Sequence, residues 1–162
     1  MWLGAHAASR IDKLVLCNTG ARIGTAEGWN ARIRSVRDGG MNAVAASVIE
    51  RWFTPEFRSA SPEVVAGART LVERTPPQGY VGACAALRDA DERSDLASIA
   101  APTLVIAGSR DPATPAADGR ALAAAIRGAR YVELAASHLS NLEAEAAFTA
   151  ELVGFLTFER GD

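Results

Sequence analysis

Two apolar segments in the second half of the chain have the pattern of buried β-strands, and each leads into a polar loop. Residues 103–109 read Thr-Leu-Val-Ile-Ala-Gly-Ser and precede Asp111, and residues 131–134 read Tyr-Val-Glu-Leu and precede His138. An Ala- and Leu-rich helix is predicted between them, from residue 115 to about residue 127. Strands joined by a helix are parallel neighbours when the crossover is right-handed. The pattern therefore predicts that Asp111 and His138 lie at one edge of one sheet.

A third strand is predicted over residues 11–17, and residues 1–9 read as the end of a helix. The run Leu-Val-Leu-Cys fits a sheet that is covered on both faces, and Asn18 ends the strand at the same edge. A connecting helix over 91–99 and a final helix over 140–158 complete this part. The final helix is expected to turn one apolar face inward, with the residues Leu142, Ala146, Leu152, Val153 and Leu156.

The stretch from residue 22 to residue 96 has no strand-like run and reads as four short helices, broken near residues 39–40, 54–55 and 76–77. Inserted helices at the carboxyl edge of a sheet commonly cover a substrate pocket. We therefore predict an α/β fold of about three parallel strands, with 1–21 and 97–162 as the core and 22–96 as a helical lid.

Composition excludes several classes of partner. The net charge is −2 and the Arg residues are scattered, so nucleic acid is not expected as a partner. No apolar stretch approaches the roughly 20 residues of a membrane span, and the opening segment lacks the basic start of a secretory signal. We expect a cytoplasmic protein with Cys17 and Cys84 as free thiols rather than a disulfide.

Asp111 and His138 indicate a catalytic role only as a pair, because each residue alone fits an ordinary structural role. They are 27 residues apart in sequence, which accommodates one helix and one strand. An Asp followed by a His is the order in which α/β-hydrolases complete a nucleophilic triad. The G-x-S-x-G turn that would carry the nucleophilic serine is absent. Four other serines could be considered as nucleophiles, but none of them lies in such a turn: Ser9, Ser35, Ser109 and Ser140. His6 has no carboxylate nearby in sequence and is expected to be structural or exposed.

Several segments resemble the 3-oxoadipate enol-lactonases, which are α/β-hydrolases of the protocatechuate branch of bacterial aromatic degradation. The resemblance runs from the first residues to about Leu156. Its most specific segments are Asn-Thr-Gly-Ala-Arg-Ile-Gly at 18–24 and Arg-Trp-Phe-Thr at 51–54. Weaker matches surround Trp29, Tyr80, Asp111 and His138.

The resemblance implies a Ser-His-Asp hydrolase that opens an enol-lactone without a metal or an organic cofactor. Asp111 corresponds to the triad acid and His138 to the triad base, while the nucleophile lies upstream of the segment that matches residue 1. The chain is thus expected to need an amino-terminal part as its partner. A substrate carboxylate would call for a cation, with Arg22 preferred over Arg32, and Trp29 would line the pocket.

Two other functions stay open at this point. The absence of the Ser also fits a non-catalytic binding module or pseudo-enzyme of the same fold. A hydrolase of another ester, or of a carbon–carbon bond, would share the triad and differ only in its substrate.

Overall fold

Three short apolar segments form a parallel sheet, as the sequence predicts. The structure is a computed structural model that describes residues 1–157, with strands β1 (Leu14–Cys17), β2 (Thr103–Gly108) and β3 (Arg130–Leu134) in the order β1-β2-β3. In the register of the sheet, Val105 lies between Leu16 and Tyr131. All residues of the middle strand β2 are buried, which explains its unbroken apolar sequence.

The side chains of β2 alternate between two apolar clusters, one on each face of the sheet. Val105 packs in the first cluster, whose other buried members are Leu16, Leu96, Ile99, Leu122 and Ile126. Leu104 and Ile106 pack in the second, together with Leu134 and the partly buried Phe148 and Phe155. The helices of this part are α1 (Trp2–His6), α7 (Ala116–Ala125), α8 (Ser140–Glu143) and α9 (Glu145–Thr157).

The final helix differs from the prediction in its bounds and in its buried face. It is split at Ala144, where φ is −125° and ψ is 45°, and Phe158 lies outside the described residues. Val153 and Leu156 are 49% and 48% exposed, so the predicted inward face was wrong. Phe148 and Phe155, seven residues apart and therefore on one side of the helix, contact the sheet instead.

The connecting helix predicted over 91–99 was also wrong, because only a 3₁₀ turn at Leu96–Ser98 forms there. Leu96 and Ile99 are both buried, and a spacing of three residues places them on the same side of a 3₁₀ turn. The carbonyl of Asp95 accepts hydrogen bonds from the backbone and the hydroxyl of Ser98, which closes the turn. A second 3₁₀ turn, Ala8–Arg10, precedes β1.

Residues Arg22–Asp91 form a separate compact unit that is entirely helical, whereas the sheet belongs to a unit of Met1–Ala21 and the described residues after Asp91. The helical unit contains α2 (Ala26–Gly39), α3 (Asn42–Trp52), α4 (Pro55–Ala60), α5 (Pro62–Arg74) and α6 (Pro77–Asp89).

These are five helices rather than the predicted four, because Ser61 leaves helical geometry ahead of Pro62. Within this unit α2 packs against α3 and α6, and α3 packs against α5. Its core is formed by Val36, Met41, Val44, Ala45, Val48 and Val72. The assignment of the unit as a lid stays a prediction. None of the helices described between residues 1 and 157 is both long and apolar enough to cross a membrane.

Candidate active site

The carboxyl edge of the sheet brings together the polar residues that follow its three strands. Asn18 directly follows β1, Asp111 lies three residues beyond β2, and His138 lies four residues beyond β3. Because the strands are parallel, their carboxyl ends meet at one edge. This is the location at which open α/β sheets bind their ligands.

The loops after β2 and β3 continue to bond to each other beyond the sheet. The backbone N–H of Ser109 donates to Leu134 at 2.8 Å, and that of Arg110 donates to Ala136 at 3.0 Å. Gly108 permits this approach, since a Cβ there would lie 2.4 Å from the Ser137 carbonyl oxygen. The two loops are therefore held together where they carry Asp111 and His138.

His138 and Asp111 form a direct hydrogen bond. The imidazole Nδ1 lies 2.8 Å from the carboxylate Oδ2, and the carboxylate side chain is fully buried while the imidazole is 25% exposed. An ionised carboxylate only accepts hydrogen bonds, so Nδ1 carries the proton of the neutral imidazole. The contacts that His138 makes within residues 1–157 use Nδ1, and Nε2 is left as the basic nitrogen.

Asp111 is further held by its own loop. Its Oδ1 accepts from the backbone N–H groups of Ala113 and Thr114 at 2.7 and 3.0 Å, and its Oδ2 accepts from the Thr114 hydroxyl at 2.7 Å. Burial alone would raise the pKa of this carboxyl, but the hydrogen bonds from His138 and Thr114 outweigh it and lower the pKa to about 2. Asp111 is thus ionised at neutral pH and can stabilise an imidazolium.

The loop that carries His138 is fixed from the other side by helix α8. The Ser137 backbone N–H donates to the Glu143 carboxylate at 2.8 Å, and the Ser140 hydroxyl donates to the Asn18 side-chain oxygen. Ser137 and Ser140 are both buried. Ser140 is therefore a structural hydroxyl rather than an accessible nucleophile.

The other candidate nucleophiles that the sequence offers are not bonded to His138, whose partners among residues 1–157 are Asp111 and Thr114. The Ser35 hydroxyl donates to the Ala31 carbonyl within its own helix, and Ser9 and Ser109 are exposed on their loops. Cys17 and Cys84 are free thiols, and burial raises the pKa of each, which disfavours the reactive thiolate. Among residues 1–157, no cluster of three or more His, Cys, Asp or Glu side chains could hold a metal ion.

The remaining predicted residues have local partners. The Trp29 indole N–H donates to the Ile23 carbonyl at 2.6 Å, and the exposed Arg22 forms a loose ion pair with Asp91 at 3.6 Å. The Nε2 atom of His6 lies 2.9 Å from the Asp95 carboxylate, a partner 89 residues away that its sequence neighbourhood did not indicate.

Sequence reasoning missed the roles of Asn18 and Thr114 at the site. The sequence pattern predicts Asn18 only as the end of β1, and it predicts nothing for Thr114 beyond its place directly before the helix that begins at residue 115. The signal available for Asn18 was its place directly after a strand of the same sheet. Nothing in the sequence indicated that its side chain would reach Asp111.

A parallel sheet with an Asp–His pair at its carboxyl edge is part of an α/β-hydrolase fold, as predicted. The chain belongs to the α/β-hydrolase family whose model, described as TAP-like protein, matches residues 76–157. It is 41% and 39% identical to 3-oxoadipate enol-lactonases 2 and 1 of Acinetobacter baylyi, over 91% and 96% of its length. These alignments cover 55% and 59% of the two relatives, so the chain spans less than two thirds of their length.

A solved structure gives the same result for the fold. The enol-lactonase from Burkholderia xenovorans LB400 superimposes with a TM-score of 0.95 at 47% identity, covering 96% of this chain and 60% of that one. The resemblance to the enol-lactonases that the sequence motifs indicated is therefore confirmed.

Proposed function

We propose that this chain supplies the acid and the base of a Ser-His-Asp hydrolase that opens an enol-lactone to 3-oxoadipate. The observation that carries the proposal is the bond between His138 Nδ1 and the buried, ionised Asp111, which leaves Nε2 as a base. The enol-lactonase names of the relatives supply the substrate class.

In the proposed reaction, His138 Nε2 takes the proton of a serine hydroxyl as that oxygen attacks the lactone carbonyl carbon. The lactone carbon–oxygen bond breaks, and the enolate that leaves takes the proton of the His138 imidazolium to become the ketone, which returns the imidazole to its neutral form. Water, activated by the same imidazole, then hydrolyses the acyl-enzyme. Throughout, the Asp111 carboxylate fixes the tautomer of His138 and stabilises its cationic form.

The nucleophile is proposed to lie on a segment outside these 162 residues, equivalent to a part of the relatives that this chain does not match. Two observations support this. Among residues 1–157, His138 bonds Asp111 and Thr114 and not a serine or a cysteine. In addition, β1 is an edge strand of the described sheet, so one side of it is open to pairing.

Trp29 and Arg22 stay predicted substrate contacts within this proposal. The ion pair of Arg22 with Asp91 is exposed and 3.6 Å long, and such pairs contribute no more than about 1 kcal/mol, so a substrate carboxylate can displace it. Arg32 is the second candidate. Its guanidinium lies 5.5 Å from the Trp29 ring centroid and donates to the Tyr80 hydroxyl at 3.3 Å.

The proposal is tested by complementation. The chain is co-expressed with the matching amino-terminal segment of a relative, including its G-x-S-x-G turn, and the enol-lactone is assayed directly. We expect hydrolysis only when both parts are present, and a loss of at least about 10³-fold with His138→Ala or Asp111→Asn. His6→Gln is the matched control, because its imidazole also bonds a carboxylate but lies at Asp95.

The same assay separates the alternatives. Hydrolysis of simple esters without the lactone would assign another substrate, and a folded complex without any hydrolysis would favour the binding module. Hydrolysis by the 162-residue chain alone, lost with His138→Ala, would place the nucleophile inside it and contradict the proposal.

A further inference from the structure

Asn18 joins the ends of all three strands through one carboxamide group. Its Nδ2 donates to Asp111 Oδ2 at 3.1 Å and to the Ser137 carbonyl at 3.2 Å, and its Oδ1 accepts from the Ser140 hydroxyl. Its backbone N–H also donates to Ile106 in β2 at 2.8 Å. The residue thus contacts the loop of the acid and the loop of the base at once.

The orientation of this carboxamide is determined by its partners. A serine hydroxyl is the only donor among the three side-chain contacts, so the amide oxygen faces Ser140 and the amide nitrogen faces Asp111 and Ser137. The backbone contributes as well. Asn18 has a φ of 45°, a left-handed conformation that Asn adopts more readily than most residues.

Asn18 therefore acts on the geometry of the pair from outside it. Ser137 directly precedes His138, so one amide nitrogen links the carboxylate to the backbone that carries the imidazole. Three donors converge on Asp111 Oδ2: the Thr114 hydroxyl at 2.7 Å, His138 Nδ1 at 2.8 Å and Asn18 Nδ2 at 3.1 Å.

We propose that Asn18 is a positioning residue that keeps the Asp111 carboxylate and the His138 imidazole in register, so that Nδ1 remains the donor and Nε2 the base. The catalytic consequence rests on the proposed function, but the geometry does not. The effect can therefore be measured in the chain without any substrate.

The test is ¹⁵N NMR of the imidazole rings at a pH where both are neutral, because nitrogen shifts report which ring nitrogen carries the proton. The chain has two histidines, and the His6→Gln variant shows which NMR signals belong to which ring. His6 bonds a carboxylate through Nε2 and His138 bonds one through Nδ1. The variant is Asn18→Gly, which tolerates a positive φ and removes the whole side chain, including the carboxamide. We expect the ratio of Nδ1–H to Nε2–H tautomer of His138 to fall roughly threefold to tenfold, the effect of losing one ordinary hydrogen bond.

His6 serves as the internal control and keeps its Nε2–H tautomer. Far-UV circular dichroism and denaturant unfolding report separately that the variant is folded. The matched control variant is Asn42→Gly, the same substitution at an exposed position in helix α3, which leaves the tautomer ratio of His138 unchanged. An unchanged ratio in folded Asn18→Gly would overturn the proposal and leave Asn18 a merely structural residue.

A second measurement needs no change at Asn18 and covers the case in which Asn18→Gly does not fold. Asn18 and His138 donate to the same oxygen, so the Asn18 carboxamide signals shift as His138 is titrated, while those of Asn42 do not. Asn18 signals that do not respond would contradict the proposal. Failure of the lactone assay would instead count against the proposed function and leave both NMR results standing.

Discussion

At the scale of single residues, the site depends on a carboxylate that is buried and still charged. Five donors surround Asp111: two backbone N–H groups, the Thr114 hydroxyl, the Asn18 amide and the His138 imidazole. Burial raises the pKa of this carboxyl, but the bonds from His138 and Thr114 stabilise the ionised form more strongly and bring the pKa to about 2. The ionised form consequently contributes to the stability of the fold as well as to the chemistry.

The first prediction concerns acid stability. The pKa of Asp111 is about 2 in the fold against an ordinary 3.8, so its contribution is fully present above about pH 4 and is lost as the pH falls towards 2. The shift corresponds to about 2 kcal/mol. Urea unfolding of the chain and of Asp111→Asn should therefore give a stability difference that shrinks by about two thirds of this amount between about pH 6 and about pH 2.5, with the rest lost as the pH falls through about 2. Asp12→Asn, at an exposed position, is the control, and a difference that is constant with pH would contradict the prediction.

The sequence predicted the acid and the base because strand patterns and loop positions are local features. Asp111 and His138 follow apolar runs, and the rule for parallel strands places both at one edge. The bond of Asn18 to Asp111 and the bond of His6 to Asp95 could not be predicted in the same way. Their contacts join residues 93 and 89 positions apart, and they depend on side-chain directions that no local pattern encodes.

At the scale of elements, the strands were predictable and the buried faces of short helices were not. A buried parallel strand needs an unbroken apolar run, which β2 shows. A helix such as α9 offers several apolar stripes, since Phe148 and Phe155 form one and Val153 and Leu156 another. The choice between the stripes is made by packing against the sheet, and the aromatic stripe contacts it.

The second prediction concerns Gly108 at the end of β2. In Gly108→Ala the new methyl group would lie 2.4 Å from the Ser137 carbonyl oxygen and 2.6 Å from that of Ala136, so backbone must move. We expect a loss of about 1–3 kcal/mol in the free energy of unfolding, together with a weaker Asp111–His138 bond. Gly67→Ala, in the middle of α5 with open space around it, should instead stabilise by about 0.5–1 kcal/mol. Denaturant unfolding measures the free energy of unfolding of both variants. An unchanged free energy of unfolding in Gly108→Ala would contradict the tight approach of the two loops.

At the scale of the whole molecule, the described chain leaves apolar groups uncovered. β1 is an apolar edge strand, and edge strands pair readily with other chains. On α9, Val153 and Leu156 lie three residues apart and are each about half exposed. Trp2 and Leu3 are each 56% exposed. A protein with these features tends to associate with itself or with another segment.

The third prediction is that the 162-residue chain self-associates, in part through the apolar stripe of α9. Sedimentation velocity should show a mean mass that rises with concentration. Val153→Lys should reduce this rise, because it places a charge in the stripe. Ala147→Lys adds the same charge to another side of the same helix and should have a smaller effect. Equal effects of the two substitutions would indicate that net charge, and not the stripe, controls association.

The bonded loops after β2 and β3 also limit how this sequence can vary in length. Loops are usually where related proteins gain and lose residues. One inserted residue spans up to about 3.3–3.6 Å, more than the 2.8 Å that separates His138 Nδ1 from Asp111 Oδ2. An insertion between Gly108 and Asp111 would therefore separate the acid from the base, whereas the turn at Gly128, with open space around it, has room for one. Evolution can lengthen this half of the molecule between α7 and β3, but it must preserve the residue count of the two loops that meet at the site.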